Sequence, residues 1–317
     1  MYKDKKIAVV VPAFNEETQI ERTVCTMPDY VDKIIVVDDK SKDRTVEIVE
    51  RLTKNDERIL LIQHVKNGGV GKAIGTGYIW CRENDIDIAV VMAGDGQMDP
   101  DDMPALLDPV VENSADYTKG NRLITGEAWK KIPRVRYLGN SALTFLTKIA
   151  SGYWHVTDSQ TGYTALNRKA LHLLPLEDIY PRYGMPNDFL VTCNIYNMRV
   201  MDIPINPVYD IGEKSGIKLR KVLFSLPILL IRLFFRRMVQ KYIIRDFHPL
   251  IFFNAFGASL FIVDIPRIVR LFYYWAMDGN IPKINALAIL FCTFIGMQSI
   301  LFAMLFDMEA NRELKGK

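Results

Sequence analysis

The first hundred residues repeat one hydrophobic pattern. A short uninterrupted apolar run ends in polar or glycine residues, and a stretch with helical apolar spacing follows. "KIAVVVPAF" leads to a helix from about Glu17, "KIIVVDD" to "DRTVEIVERLTKN", "RILLIQHV" to "VGKAIGTGYIWCREN", and "IAVVMAGD" to "PDDMPALLDPVVEN". Continuous Val/Ile runs, rather than alternating ones, mark strands buried on both faces. Helices of this length between them predict an α/β domain with a mostly parallel sheet covered on both sides. The strand tips carry Asn15 and Glu16, Asp38 and Asp39, the 67–71 segment, and Asp95. In an open α/β sheet these tips converge on one crevice, where ligands bind.

The pattern changes in the last third of the chain. Residues 284–306 contain no charged side chain, and at 1.5 Å per residue this run crosses a hydrocarbon core of about 30 Å. A first span is expected over about 249–268. Asp264, Arg267 and Arg270 lie three residues apart on one of its faces, with the arginines snorkelling and Tyr273, Tyr274 and Trp275 at the interface. Arg232, Arg236, Arg237, Lys241 and Arg245 precede the pair, and Arg312, Lys315 and Lys317 follow it. The connecting side offers Arg267, Arg270 and Lys283, so both termini and the α/β domain are expected in the cytoplasm of a multi-pass inner-membrane protein. Between domain and spans, apolar and basic residues interleave, as in an amphipathic helix lying among headgroups. The expected divisions are 1–217 for the globular domain, 218–247 for the juxtamembrane helices, and 248–317 for the spans and a short tail. Gly257, Ala258 and Gly296 offer a small-residue face for a homo-oligomer, which would also bury the Asp264–Arg267 pair.

Composition adds limits. Across 317 residues, 40 Lys and Arg stand against 37 Asp and Glu, a balance that argues for neither a nucleic-acid nor an acidic partner, and no nucleic-acid partner is expected. The four cysteines are scattered without a CxxC pair, which fits a reduced compartment and no zinc cluster. "GVGKAIG" at 69–75 has neither the glycine spacing nor the strand context of a dinucleotide loop. A P-loop would need glycine at Lys66 and Ser or Thr at Ala73. Several carboxylates and glycine amides at one crevice suit a nucleoside diphosphate with a hard cation, Mg2+ or Mn2+. Asp95 would meet the cation, Asp38, Asp39 and Glu16 would meet ribose and base, and Phe14 would wall the base.

Taken together, "VVVPAFNEE", "IIVVDDKSKDRT", "NGGVGKAIGTGY", "MAGDGQMDP", "GNR", "DSQTGYTAL" and "GEKSGI" resemble family 2 glycosyltransferases of the GT-A (Rossmann-like) fold. The branch that includes dolichyl-phosphate mannose synthase and bacterial polyprenyl-phosphate glycosyltransferases is the most similar. The resemblance runs through nearly all of the globular part in family order, and the two spans after a basic segment match membrane-anchored members.

The resemblance implies an inverting transfer of a hexose from a UDP- or GDP-sugar to undecaprenyl or dolichyl phosphate, with Mg2+ or Mn2+. It puts Pro12, Phe14 and Glu16 at the base, Asp38 and Asp39 at base and ribose, and Gly71 and Lys72 in the loop over the nucleotide. Asp95 matches the second aspartate of the DxD-like metal motif and Gln97 the glutamine after it; the first aspartate is Ala93 here. Arg122 and Arg136 match arginines aimed at the lipid phosphate, with Asn140 or Ser141 beside them. Lys214 and Ser215 would clamp either the donor diphosphate or the acceptor phosphate. Asp158 is expected to orient acceptor or donor sugar, and Asp188 to act as a base or sugar contact. Ala93 keeps open a catalytically impaired nucleotide-sugar-binding protein, and a different membrane acceptor is a further alternative. A processive polysaccharide synthase would carry a QxxRW motif, which is missing from the sequence.

Overall fold

A computed structural model describes residues 1–124, 134–206 and 219–316, with side chains at all of these except 134–140, 219–224 and 278. It divides into two compact units, residues 1–237 with 313–317, and residues 238–312.

The first unit is built on the expected sheet. Strands β1 (Ile7–Ala13), β2 (Lys33–Asp38), β3 (Ile59–Gln63) and β4 (Ile88–Val91) pair in parallel, in the order β3-β2-β1-β4. The sheet continues through β6 (Thr164–Asn167), β5 (Tyr117–Asn121) and β7 (Val200–Pro204). β6 runs antiparallel to both neighbours, and β5 and β7 are parallel to each other. Burial explains the apolar runs. Val10 and Ile35 enter a core with Ala73, Ile74 and Tyr78 of helix α3 (Val70–Glu83). Their neighbours Val9, Val11, Ile34 and Val36 enter a second core on the opposite face. There they meet Ile20 and Val24 of α1 (Ile20–Cys25), Val49 of α2 (Thr45–Thr53) and Leu106 of α4 (Met103–Val111). With both faces dry, no position in the strand tolerates a polar side chain until the tip.

Helices α5 (Arg134–Ser151), α6 (Arg168–Leu173) and α7 (Met185–Ile195) follow along the chain. Helix α8 (Leu219–Val239) buries Leu230 and Leu233 against Ala150 of α5 and Val191 and Ile195 of α7, while Ile228, Ile231 and Phe235 are exposed on its other side. Arg237 on the packed side is fully buried. It donates from Nε to the Ala150 carbonyl (2.9 Å) and from NH2 to that of Ile149 (3.1 Å), satisfying two carbonyls at the end of α5 that no helical amide reaches. Arg236 and Arg237, read from the sequence as charges that orient the spans, therefore also fasten α8 to the domain.

The second unit contains α9 (Leu250–Asp278) and α10 (Lys283–Ala310), both long and apolar enough to cross a membrane. Their polarity is inverted relative to a soluble helix pair. Phe252, Ile262, Ile284, Leu290 and Phe294 are exposed, whereas Asp264, Asp307 and Asn311 are buried. Exposed apolar and buried polar side chains of this kind are the arrangement of helices that cross a bilayer. Asp264 pairs with Arg267 (3.3 Å) and accepts from Thr293 Oγ1 (3.1 Å), and Asn285 Nδ2 donates to the Arg267 carbonyl (2.8 Å). At the tail end, Tyr242 donates to Asp307 (2.6 Å) and Lys241 to Asn311 (2.8 Å).

The expected role of Gly257 and Gly296 in self-association needs correcting. They face each other inside the pair: a Cβ on Gly257 would lie 2.8 Å from the Gly296 carbonyl oxygen and 2.8 Å from Ile300 Cγ1. Their small size is used to bring α9 and α10 together. The Asp264–Arg267 pair likewise finds its partners within one chain. We expect Gly257→Leu to force the helices apart and to lower stability by about 1–3 kcal/mol, seen as a reduced thermal midpoint of the full chain in micelles.

Candidate functional site

The chain order β3-β2-β1 moves outward from β1, and β4 then returns to its other side. The sheet therefore reverses between β1 and β4, and the helical connections leave a crevice beyond their carboxyl ends. The loop after β1 carries Phe14, Asn15 and Glu16, and the loop after β4 carries Asp95. Asn15 and Lys40 both hold left-handed backbone, at φ 58° and 64°. Such conformations cost energy and persist where the surroundings fix them; here they turn the chain sharply at the tips of β1 and β2. Asn15 is fixed from both ends: its amide donates to Ser41 Oγ (2.9 Å) and its side chain accepts from the Lys42 amide (2.8 Å).

Negative charge gathers at the reversal. Burial pushes Glu16 up to about 7, and the nearby Asp95 and Asp43 carboxylates push in the same direction. Asp95 accepts from the Gln97 amide (3.1 Å). Asp99, the carboxylate best placed in sequence to replace the aspartate missing at Ala93, caps the turn 100–102 by accepting from the Asp101 amide (3.0 Å). Among the described residues no three His, Cys, Asp or Glu side chains form a cage for a metal ion. That donor set fits a cation such as Mg2+, which takes one or two carboxylates and completes its octahedron with substrate phosphate and water. Mutual repulsion between Glu16 and Asp95 is what such a cation would relieve.

Beside this lies the glycine loop. Asp38 and Asp39 are both buried. Asp39 accepts from the amides of Gly68 (2.8 Å) and Gly69 (2.6 Å) and from His64 Nδ1 (2.8 Å). Its carboxylate is thus committed to shaping the loop, a role the sequence did not reveal. His64, which the sequence reading passed over, links Asp39 to Thr76 on α3 through Nε2 (3.0 Å). Asp38 accepts from the Ser41 amide (3.1 Å). The loop is pressed from above by residues 180–182. Gly69 has φ 91°, and a Cβ there would lie 2.4 Å from the Pro181 carbonyl oxygen; at Gly71 it would lie 2.0 Å from that of Tyr180. Only glycine fits at either position. Lys72 follows at the start of α3, its amide 3.4 Å from the Pro181 carbonyl.

A second group of charges sits at the ends of β5 and β7. Arg122 grips Asp158 with Nε (2.8 Å) and NH2 (3.2 Å). Burial would raise Asp158, but the Arg122 guanidinium and Lys119 hold it below the usual carboxylate range. Lys119 is fully buried, donates to the Thr161 carbonyl, and is drawn down to about 8 by burial, against the pull of Asp158 and Asp202. Asp202 accepts through Oδ2 from the Thr157 amide (2.7 Å) and from Asn121 (2.6 Å), and burial raises its carboxyl. Lys119 and Asp202 were missed because short strands with polar residues give no periodic signal.

Asp188, in the first turn of α7, is buried. Oδ1 meets Arg236 NH2 (2.9 Å) and Oδ2 accepts from the Tyr180 amide (3.1 Å). Ser141 is exposed on α5. The side chains of Arg136 and Asn140, also on α5, and all of Lys214 and Ser215 lie outside the described residues. Pro12 is buried at the end of β1, and Phe14 is exposed beside it.

The fold thus gathers glycine and carboxylate strand tips at one sheet reversal. The Glycosyl transferase family 2 model matches residues 8–174, and the chain belongs to that family. It is a glycosyltransferase. The chain is 33% identical over 219 residues to a UDP-N-acetylglucosamine–dolichyl-phosphate N-acetylglucosaminyltransferase of Methanococcus voltae, covering 65% of this chain and 87% of the relative. It is 27% identical to an undecaprenyl-phosphate mannosyltransferase of Micrococcus luteus, over 66% and 87% of the two chains. Glucosyl-3-phosphoglycerate synthase from Mycobacterium tuberculosis, solved with Mn2+, UDP and glucosyl-3-phosphoglycerate, shares the fold at a TM-score of 0.53 and 20% identity, over 74% of this chain and 80% of that one.

The raised Glu16 has a direct consequence. In the unfolded chain Glu16 loses its proton near 4.5 and in the folded protein near 7, so between these values the folded state holds the extra proton. Raising the pH through that window therefore destabilises the protein. Glu16→Gln is expected to raise the thermal midpoint at pH 8 and to leave it nearly unchanged at pH 4, measured by thermal unfolding at both values.

Proposed function

We propose that this glycosyltransferase moves a hexose, with inversion, from a UDP- or GDP-sugar to a polyprenyl phosphate at the cytoplasmic face of a membrane. The single observation that carries the reading is the crowding of Glu16 and Asp95 at the β1/β4 reversal, beside glycine amides ordered by Asp39. A nucleoside diphosphate with a cation answers the crowded carboxylates, and the ordered glycine loop gives its phosphates a wall without side chains. The names of the Methanococcus voltae and Micrococcus luteus relatives support a lipid phosphate acceptor, and the Mn2+ and UDP of the Mycobacterium tuberculosis complex support the cation and nucleotide. The exposed apolar sides of α8, α9 and α10, with basic residues interleaved in α8, support membrane attachment with the domain on the cytoplasmic side.

In this reading Phe14 and Pro12 flank the base and Asp38 meets base or ribose. Gly71 and Lys72 close over the diphosphate. Asp95, with Gln97 beside it, would hold Mg2+ or Mn2+, which supplies positive charge for the departing diphosphate. The acceptor oxygen attacks the anomeric carbon from the face opposite the diphosphate; the new C–O bond forms as the bond to the diphosphate breaks. A phosphomonoester, with its second pKa at about 6, needs no strong base to do this. Arg122 and Arg136, with Asn140 or Ser141, would receive its charge. Asp158 keeps the Arg122 fork in one orientation, and Lys214 and Ser215 would clamp one of the two phosphates.

Ala93 favours one rival, a nucleotide-sugar-binding protein with little turnover. The full chain incubated with radiolabelled UDP- and GDP-sugars, undecaprenyl or dolichyl phosphate, and Mg2+ or Mn2+ separates the two. Lipid-linked sugar is expected with at least one donor, and Asp95→Asn should slow its formation about a hundredfold. Donor binding without product would support the rival, and full activity in Asp95→Asn would remove that residue from the site.

A further inference from the structure

The glycine loop is held by two independent sets of contacts, and the second leads away from the crevice. From below, Asp39 binds the amides of Gly68 and Gly69. From above, the Pro181 carbonyl accepts from the Gly71 amide (2.9 Å), and the Tyr180 and Pro181 carbonyls sit where no Cβ could enter at Gly71 and Gly69. Residues 180–182 thus act as a strap across the loop. The strap is in turn anchored by Asp188, whose Oδ2 accepts from the Tyr180 amide. The other oxygen of Asp188 meets Arg236 of α8, and the same Arg236 nitrogen lies 2.9 Å from Thr192 Oγ1, one turn further along α7. A second contact runs in parallel: Leu229 of α8 packs on Gly184, where a Cβ would lie 2.3 Å from Leu229 Cδ2. The helix that carries an exposed apolar face made by Ile228, Ile231 and Phe235 therefore reaches the glycine loop through one ion pair and one strap.

We propose that Asp188 and Arg236 are positioning residues for the donor: their ion pair ties the juxtamembrane helix α8 to the 180–182 strap and so sets the height of the glycine loop at which a nucleoside diphosphate is gripped. This rests on the reading of that loop as part of the donor site. It replaces a base or sugar contact as the work of Asp188, since both of its oxygens are engaged by Arg236 and the Tyr180 amide. A carboxylate buried in this way has a strong geometric demand: removing either partner leaves the other charge uncompensated and frees the strap. Arg236 Nε has no hydrogen-bond partner among the described residues, so the pair is not a fully satisfied structural network. The contact is directional, through one guanidinium nitrogen to Asp188 and Thr192. A lysine could reproduce its charge and its contact with the carboxylate.

The test uses the full chain in nanodiscs, with two readouts. Calorimetric titration with UDP and with GDP, each with Mg2+, first identifies the nucleotide that the unaltered protein binds. Asp188→Asn and Arg236→Gln should each weaken that binding about tenfold, the double variant should bind no worse than the weaker single one, and Arg236→Lys should recover most of the loss. Hydrogen–deuterium exchange supplies the second readout. Peptides covering 67–73 and 179–183 should exchange faster in the variants, while those covering β1 and β2 keep their protection. Folded variants that bind the nucleotide as the unaltered protein does, with unchanged exchange at 67–73, would overturn the proposal. Should Asp188→Asn or Arg236→Gln fail to fold, Asp188→Glu carries the test: the longer side chain keeps the charge but cannot meet Arg236 and the Tyr180 amide in the same geometry, so wild-type binding with a wild-type exchange pattern at the strap and loop would contradict the coupling. If the unaltered protein binds neither UDP nor GDP, the nucleotide reading itself fails, whereas faster exchange at 67–73 in Arg236→Gln would still establish the mechanical link.

Discussion

Two carboxylates that repel each other organise this protein. Glu16 follows β1 and Asp95 follows β4, the two strands between which the sheet reverses, so the fold places them near each other by topology and not by local sequence. A half-buried carboxylate raised to about 7 by burial and by its neighbours is a standing electrostatic cost. Folded proteins keep such costs where a ligand removes them. The proposed cation-bridged diphosphate would remove this one, in a crevice whose glycine loop is already held in shape by Asp39 and the Pro181 carbonyl.

Around that centre the architecture divides its labour by surface. The strands of the first unit are dry on both faces and stiff, so the loops at their tips can hold strained backbone at Asn15 and Lys40 without losing their place. Helix α8 uses three sides at once. Leucines pack on α5 and α7, Arg236 and Arg237 reach into the domain, and Ile228, Ile231 and Phe235 are left exposed. The helical pair of the second unit inverts the usual arrangement, with polar side chains satisfied inside and apolar ones outside. Each surface is intelligible once its solvent is named.

Much of this was legible in the sequence, and the exceptions share a cause. The four parallel strands, the two long apolar helices and the tip residues Glu16, Asp38, Asp39 and Asp95 announce themselves, because burial on both faces forces uninterrupted Val/Ile runs that stop where water or ligand begins. β5 and β6 do not: "YTKGN" and "TALN" are short, partly polar and buried by neighbours far away in the chain. Lys119 reads as an ordinary surface charge until its strand is seen between β6 and β7. Asp39 was recognised as important but for ribose, whereas its oxygens shape the glycine loop. Arg236 and Arg237 were counted as headgroup charges, since spacing along a helix says nothing of which side another element covers. Gly257 and Gly296 were read as a face for a second chain for the same reason. Long-range contacts decide such roles, and a single sequence carries no record of them.

The most direct measurement of the central claim is the proton balance of donor binding. Titration of the full chain with a nucleoside diphosphate and Mg2+ near pH 6.5, in two buffers of different ionisation enthalpy, reports protons exchanged with solvent. Relief of the Glu16–Asp95 repulsion predicts proton release on binding, beyond that from the nucleotide's own phosphate, that falls in Glu16→Gln. Tight binding with no proton released, or with equal release in that variant, would contradict the account.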